Sequence, residues 1–236
     1  MTDPSFDQAG FDVRVEWGLD GVAVLARTCA VLVVVDVLSF STSVDIAVSR
    51  GGRVLPVRFR DERAEAQARA AGAALPGDGP WTLRPSSLVD LPDGTFLALP
   101  SPNGATLSAA AAQTGVPVLA GCLRNAPAVA KAATNGPVGI IAAAERWGHV
   151  GALRPCVEDQ LGAGAIAHAL GGALSPEARL AEAAFLAFAD DLPAILRECS
   201  SGRELIAGGH AGDVDLASRH GVSTTVPRLV EGVFES

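Results

Sequence analysis

The chain reads as a layered α/β protein built around a parallel sheet. Two observations predict this. The first is Val31-Leu32-Val33-Val34-Val35, five consecutive apolar and mostly β-branched residues, the pattern of a strand buried on both faces. The second is an order that recurs along the chain: an apolar run, a polar loop, then a helical stretch. The 236 residues suffice for one large α/β domain or two small ones, and 49% hydrophobic with 19% charged residues marks a globular chain.

Taken in order, residues 1–10 are polar and loose. Phe11 to Trp17 alternates apolar and polar, the period of a half-buried strand at a sheet edge. Gly18 to Thr28 reads as a short helix. The Val31–Val37 strand follows, then a helix from Ser41 to Ser49 that Gly51-Gly52 stops. Val54 to Val57 is a short strand, and Asp61 to Ala71 a polar, alanine-rich surface helix. Gly72 to Asp93 is rich in Gly and Pro and reads as a loop excursion. Its length points to a lid or an interface segment, one that could join two copies as a homodimer. Thr95 to Leu99 is a strand, Pro100 to Thr106 a loop, and Ala109 onward helical. Val116 to Ala120 is a strand, with a helix from Ala126. Val138 to Ala143 is a strand leading into Glu145-Arg146-Trp147. Arg154-Pro155 opens a helix, proline suiting its first turn and Glu158 and Asp159 its positive end. Gly162 and Gly164 each cost about 1 kcal/mol there relative to Ala, so something packs very close. Glu177 to Ala217 reads as largely helical with Pro193 and Gly202 as breaks, and Val226 to Phe234 as a last strand.

Composition removes several function classes. The formal net charge is -8 and no basic run exists, which argues against nucleic acid as a partner. An anionic substrate would be repelled at long range, so a site for one must gather its few arginines locally. Cys29, Cys122, Cys156 and Cys199 lie far apart with no CxxC pair, as expected of buried free thiols in a cytoplasmic protein. The N-terminus is acidic and polar, which predicts no signal peptide, and no apolar run is long enough to span a membrane.

The strongest site candidate is Asp36, a carboxylate at the end of the most buried strand. Such a charge is costly unless it is paired or binds a cation, and ligands bind at the carboxyl ends of strands in open α/β sheets. Ser41, Thr42 and Ser43 add hydroxyls at a helix start, where free N–H groups attract anions. The alternative is that Asp36 only caps that helix. Other strand ends deliver Ser101 with Asn103, Arg124 with Asn125, and Glu145 with Arg146. If the strands are parallel, these loops crowd one edge. Carboxylates, hydroxyls, an amide and arginines suit Mg2+ with a phosphate ester or another small anion.

Familiar phosphate motifs are missing. There is no GxxxxGK[ST]. Position 38 is Leu, so no Asp-x-Asp follows the first buried strand, and no Cys has an Arg six positions later. No GxSxG elbow is present. Arg219-His220-Gly221 follows no strand and reads as coincidence.

VVVDVLSFSTSV, SPNGAT, GCLRNA, AAAERW and RPCVEDQLGAGAI, in this order, together resemble the 2-phosphosulfolactate phosphatase (ComB-like) family. SxRELI and VP-x-L near the end look similar as well. The resemblance implies one domain over residues 1–236, a three-layer α/β/α fold with a mostly parallel or mixed sheet, and a cytoplasmic location. It also implies Mg2+-dependent hydrolysis of 2-phosphosulfolactate to sulfolactate and phosphate, a step of coenzyme M synthesis. Ser39-Phe40 stand where that pattern has Arg-Ala, which removes an anion contact beside Asp36 and leaves room for another small anionic phosphate ester, such as a different phosphorylated carboxylate.

The expected roles follow. Asp36, Glu158 and either Asp159 or Glu145 hold Mg2+. Glu158 and Asp159 point about 100° apart on a helix, so both reach the metal only if the helix starts there. Arg124 and Arg154 bind the anion, Arg154 acting with Asp36 and Glu158 in catalysis. Ser101, Asn103 and Thr42 hydrogen-bond the substrate. His149 is the one histidine near the proposed site and a proton carrier if it faces it. The competing reading is a non-catalytic binder of a small anion.

Overall fold

The computed structural model describes residues 4–58, 61–76, 78–148 and 151–236. Its first half runs β1 (Val13–Trp17), α1 (Gly18–Leu25), β2 (Val31–Val35), α2 (Phe40–Ser49), β3 (Arg53–Val57), α3 (Glu62–Ala71), β4 (Phe96–Pro100) and α4 (Gly104–Ala112). Then come β5 (Val118–Gly121), α5 (Ala126–Ala132), β6 (Val138–Ala142), β7 (Glu145–Arg146), β8 (Leu153–Arg154) and α6 (Val157–Leu170). Four helices follow, α7 (Pro176–Phe188), α8 (Leu192–Glu198), α9 (Ser200–Ala207) and α10 (Ala211–Ala217), before β9 (Arg228–Val230) and β10 (Val233–Glu235).

Eight strands make one mixed sheet in the order β1-β6-β2-β5-β9-β10-β3-β4, while β7 and β8 form a separate ribbon. β1, β6, β2 and β5 are parallel, and so are β3 and β4. The β9–β10 hairpin joins the two groups with antiparallel pairings on both sides.

Strand β2 explains the layering. Side chains alternate across a strand, so Val31, Val33 and Val35 meet α5, α6 and α7 through Val129, Leu161, Ile166 and Phe185. Leu32 and Val34 face the other way and meet α1, α2 and α4 through Val22, Val44 and Leu107. All five β2 residues are buried. The result is a three-layer α/β/α fold. Helix α6 lies so close that a methyl added at Gly162 would meet Val37 Cγ2 at 2.6 Å, and one at Gly164 would collide with the Ala181 carbonyl of α7.

Several boundaries differ from expectation. Helix α4 begins at Gly104, five residues before Ala109, and α6 at Val157, leaving Pro155 outside it. Pro193 and Gly202 lie in the first turns of α8 and α9 rather than at breaks, since those turns have N–H groups that need no helical partner. The last strand is a hairpin inserted into the sheet. Residues 72–93 are not a detached excursion: Leu88 and Leu91 are fully buried, and Ala74 bridges Leu97. No helix among the described residues is long and apolar enough to cross a membrane.

Candidate active site

Asp36 follows β2 and is only 6% exposed. Its Oδ1 accepts from the Phe40 N–H at 3.3 Å, and its Oδ2 from the Gly104 N–H at 2.7 Å and the Ser101 hydroxyl at 3.4 Å. One carboxylate therefore caps the first turns of both α2 and α4. The capping reading of Asp36 holds. Gly104 is required there: an added methyl would press on the Phe40 ring and lie 2.7 Å from Asp36 Oδ2.

The antiparallel hairpin breaks the single parallel rim expected for the loops. Ser101 and Gly104 still reach Asp36, so the ends of β2 and β4 fold toward each other. Glu145 and Glu158 bear on the same carboxylate. Burial pushes Asp36 up to about 6, against the pull of the Gly104 amide, with the charges of Glu145 and then Glu158 adding to it. Glu158 is 3% exposed in the first turn of α6. Cys199, the residue before α9, donates its thiol to the Leu196 carbonyl at 3.2 Å, and burial, with the charge of Glu158 adding to it, pushes that thiol up to about 11. The first turns of four helices (α2, α4, α6 and α9) thus surround the carboxylates, and their positive ends temper this gathering of negative charge.

Asp159 has another task. Its Oδ1 accepts from the Val37 N–H at 2.8 Å and its Oδ2 from the Ala144 N–H at 2.9 Å. It straps the ends of β2 and β6 together. Burial, Asp36 and Glu158 raise its carboxyl well above the usual range. Two expected substrate contacts are turned inward. Thr42 is fully buried and donates to the Val37 carbonyl at 2.8 Å. Arg124 pairs with buried Asp45 at 2.8 Å and donates to the Leu216 carbonyl at 3.2 Å. Ser223 donates to the same Asp45 at 2.6 Å, so this arginine balances a core carboxylate rather than facing an anion. Asn125 is buried and bonded to the Cys122 amide and the Ala120 and Thr225 carbonyls.

Arg154 remains available. It is half-buried, stands opposite Glu145 in the β7–β8 ribbon, and makes no ion pair among the described residues. Its Nη2 donates to the Ser201 hydroxyl at 3.4 Å, and its guanidinium lies 5.8 Å from the Trp147 ring centroid. Asn103 precedes α4 without capping it and lines a hollow of about 20 Å³ with Gly18, Glu145 and Arg146. His149 lies outside the described residues.

Sequence reasoning missed the amide of Gly104 and the α9 start, Cys199-Ser200-Ser201-Gly202. The signal was present in both: a Gly after Asn, and small hydroxyl residues before a helical run.

A family model for 2-phosphosulpholactate phosphatase matches residues 86–232. The chain belongs to this family. Such a phosphatase acts on a small phosphate ester. The match takes in Ser101, Gly104, Glu145, Arg154, Glu158 and Ser201, while Asp36 precedes it. No curated protein matches the chain.

Among the described residues no three His, Cys, Asp or Glu side chains are placed to hold a metal ion by themselves. The donors nevertheless fit Mg2+. Asp36 and Glu158 are buried hard oxygen donors, neither of them in an ion pair among the described residues, and this ion is commonly held by one or two carboxylates plus water and phosphate oxygens.

Proposed function

We propose that the chain is a Mg2+-dependent phosphatase of a small anionic phosphate ester, with 2-phosphosulfolactate the substrate its family supplies. The observation that carries this reading is the Asp36 carboxylate, buried and in no ion pair among the described residues, beside Glu158 and under four helix N-termini. Asp36 and Glu158 hold the ion. Bound Mg2+ supplies charge neutralisation and polarises the phosphoryl oxygens. Arg154 holds an anionic group of the ester, with Ser201 orienting its guanidinium. Gly104 and Ser101 fix Asp36, and Asp159 fixes the strand ends that carry it. In the reaction a water oxygen ends up bonded to phosphorus and the ester P–O bond breaks, giving phosphate and the free alcohol. Hydrolysis runs either directly or through a carboxylate nucleophile. Asn103 hydrogen-bonds the substrate from the rim.

The test is phosphate release from a panel of phosphate esters with and without Mg2+. Wild type releases phosphate only with the ion. Asp36→Asn lowers the rate at least a hundredfold while remaining folded by circular dichroism. Turnover unchanged by this substitution would remove Asp36 from the mechanism. Tight binding of sulfolactate with no turnover of any ester would make the protein a small-anion binder.

A further inference from the structure

A cleft of about 950 Å³ has Ser39 and Pro100 on its wall. Each is the chain neighbour of a residue that hydrogen-bonds Asp36: Ser39 precedes Phe40 and Pro100 precedes Ser101. The cleft therefore opens beside the phosphoryl site. Its walls continue outward through Leu75, Leu83 and Leu205, with the exposed Arg84 on the same lining. The α3 side of the lining carries Asp61, Glu62 and Glu65; Asp61 and Glu65 are each engaged by an arginine at 2.7 Å, which damps their repulsion of an anion and leaves Glu62 to face the outer part of the cleft.

The size and lining do not match a three-carbon acid. Pockets for drug-sized ligands span roughly 300–1,000 Å³ with mostly apolar walls, and this cleft is at the upper end. A three-carbon ester would leave Leu75, Leu83 and Leu205 wetted. Position 39, on the cleft wall and next to Phe40, carries a short serine.

We infer that the cleft is a binding subsite for an apolar alcohol portion of the phosphate ester, so that monoesters of bulky or aromatic alcohols are substrates in their own right. Arg84 meets a polar or anionic substituent at the outer end. The inference rests on the phosphatase reading of the Asp36 site, and the following experiment separates the two.

Phosphate release is measured with Mg2+ on 2-phosphosulfolactate, phenyl phosphate and 1-naphthyl phosphate. In parallel, binding of 1-naphthyl phosphate is titrated by its fluorescence. The subsite predicts kcat/KM at least tenfold higher for the naphthyl ester than for the three-carbon ester. Leu205→Asp cuts that ratio at least fivefold, and Leu75→Asp serves should the first variant fail to fold. If 2-phosphosulfolactate is hydrolysed and the larger esters are not preferred, the subsite is wrong and the phosphatase stands. If no ester is hydrolysed, the phosphatase reading fails and the titration decides the subsite. Saturable binding weakened fivefold by Leu205→Asp supports it; absent binding, or binding unchanged in both variants, overturns it.

Discussion

Both oxygens of Asp36 accept backbone N–H bonds, from Phe40 and Gly104. An asparagine there must turn its NH2 against one of these donors, so Asp36→Asn loses about 1–2 kcal/mol of stability as well as activity. Gly104→Ala presses a methyl between the Phe40 ring and Asp36 Oδ2. It displaces the amide that holds the carboxylate, and phosphate release falls at least tenfold in a steady-state assay. The raised carboxyl of Asp36 has a thermodynamic signature too. Its ordinary value is 3.8 and its folded value about 6. As pH rises, the unfolded chain loses this proton first, so the folded state binds more protons between about pH 4 and 6 and stability falls across that window. Asp159 shifts in the same direction. In thermal scans with a chelator present, the midpoint drops as pH rises from 4 to 6, and the drop shrinks in Asp36→Asn. A midpoint that rises equally in both proteins would contradict this placement of charge.

Among the elements, α6 does most to build the site. Its first turn carries Glu158 and Asp159, and its glycines let it lie against β2 and α7. Gly164→Ala meets the Ala181 carbonyl, and such overpacking costs about 1–3 kcal/mol, measured as a lower denaturation midpoint. That close packing was legible in the sequence because glycine inside a helix is otherwise unfavourable. The role of Arg124 was not legible. A strand-end arginine looks alike whether it faces an anion or a buried aspartate, and Asp45 lies 79 residues away in the chain. Arg124→Ala leaves Asp45 uncompensated in the core, a loss of about 3–5 kcal/mol. The expected outcome is a much lower unfolding midpoint with KM unchanged in the surviving folded enzyme. A raised KM at unchanged stability would return Arg124 to the substrate.

At the scale of the molecule, the layered fold was readable from β2 alone, since an unbroken β-branched run needs cover on both faces. The sheet order was not. β9 and β10 are three residues each, too short for a periodic signal, yet they invert the ladder between its two parallel groups. The candidate site was half legible: charge at a strand end singled out Asp36 and the opening of a helix Arg154 and Glu158, while backbone donors such as Gly104 leave no mark in side-chain chemistry. What the fold accomplishes is to bring loops from distant strands onto one buried carboxylate. The most direct check is a Mn2+ titration, by electron paramagnetic resonance in the presence of phosphate, of wild type, Asp36→Asn and Glu158→Gln. Shared ligation by these two residues predicts one site per chain whose affinity falls at least tenfold in each variant; wild-type affinity in both would contradict it.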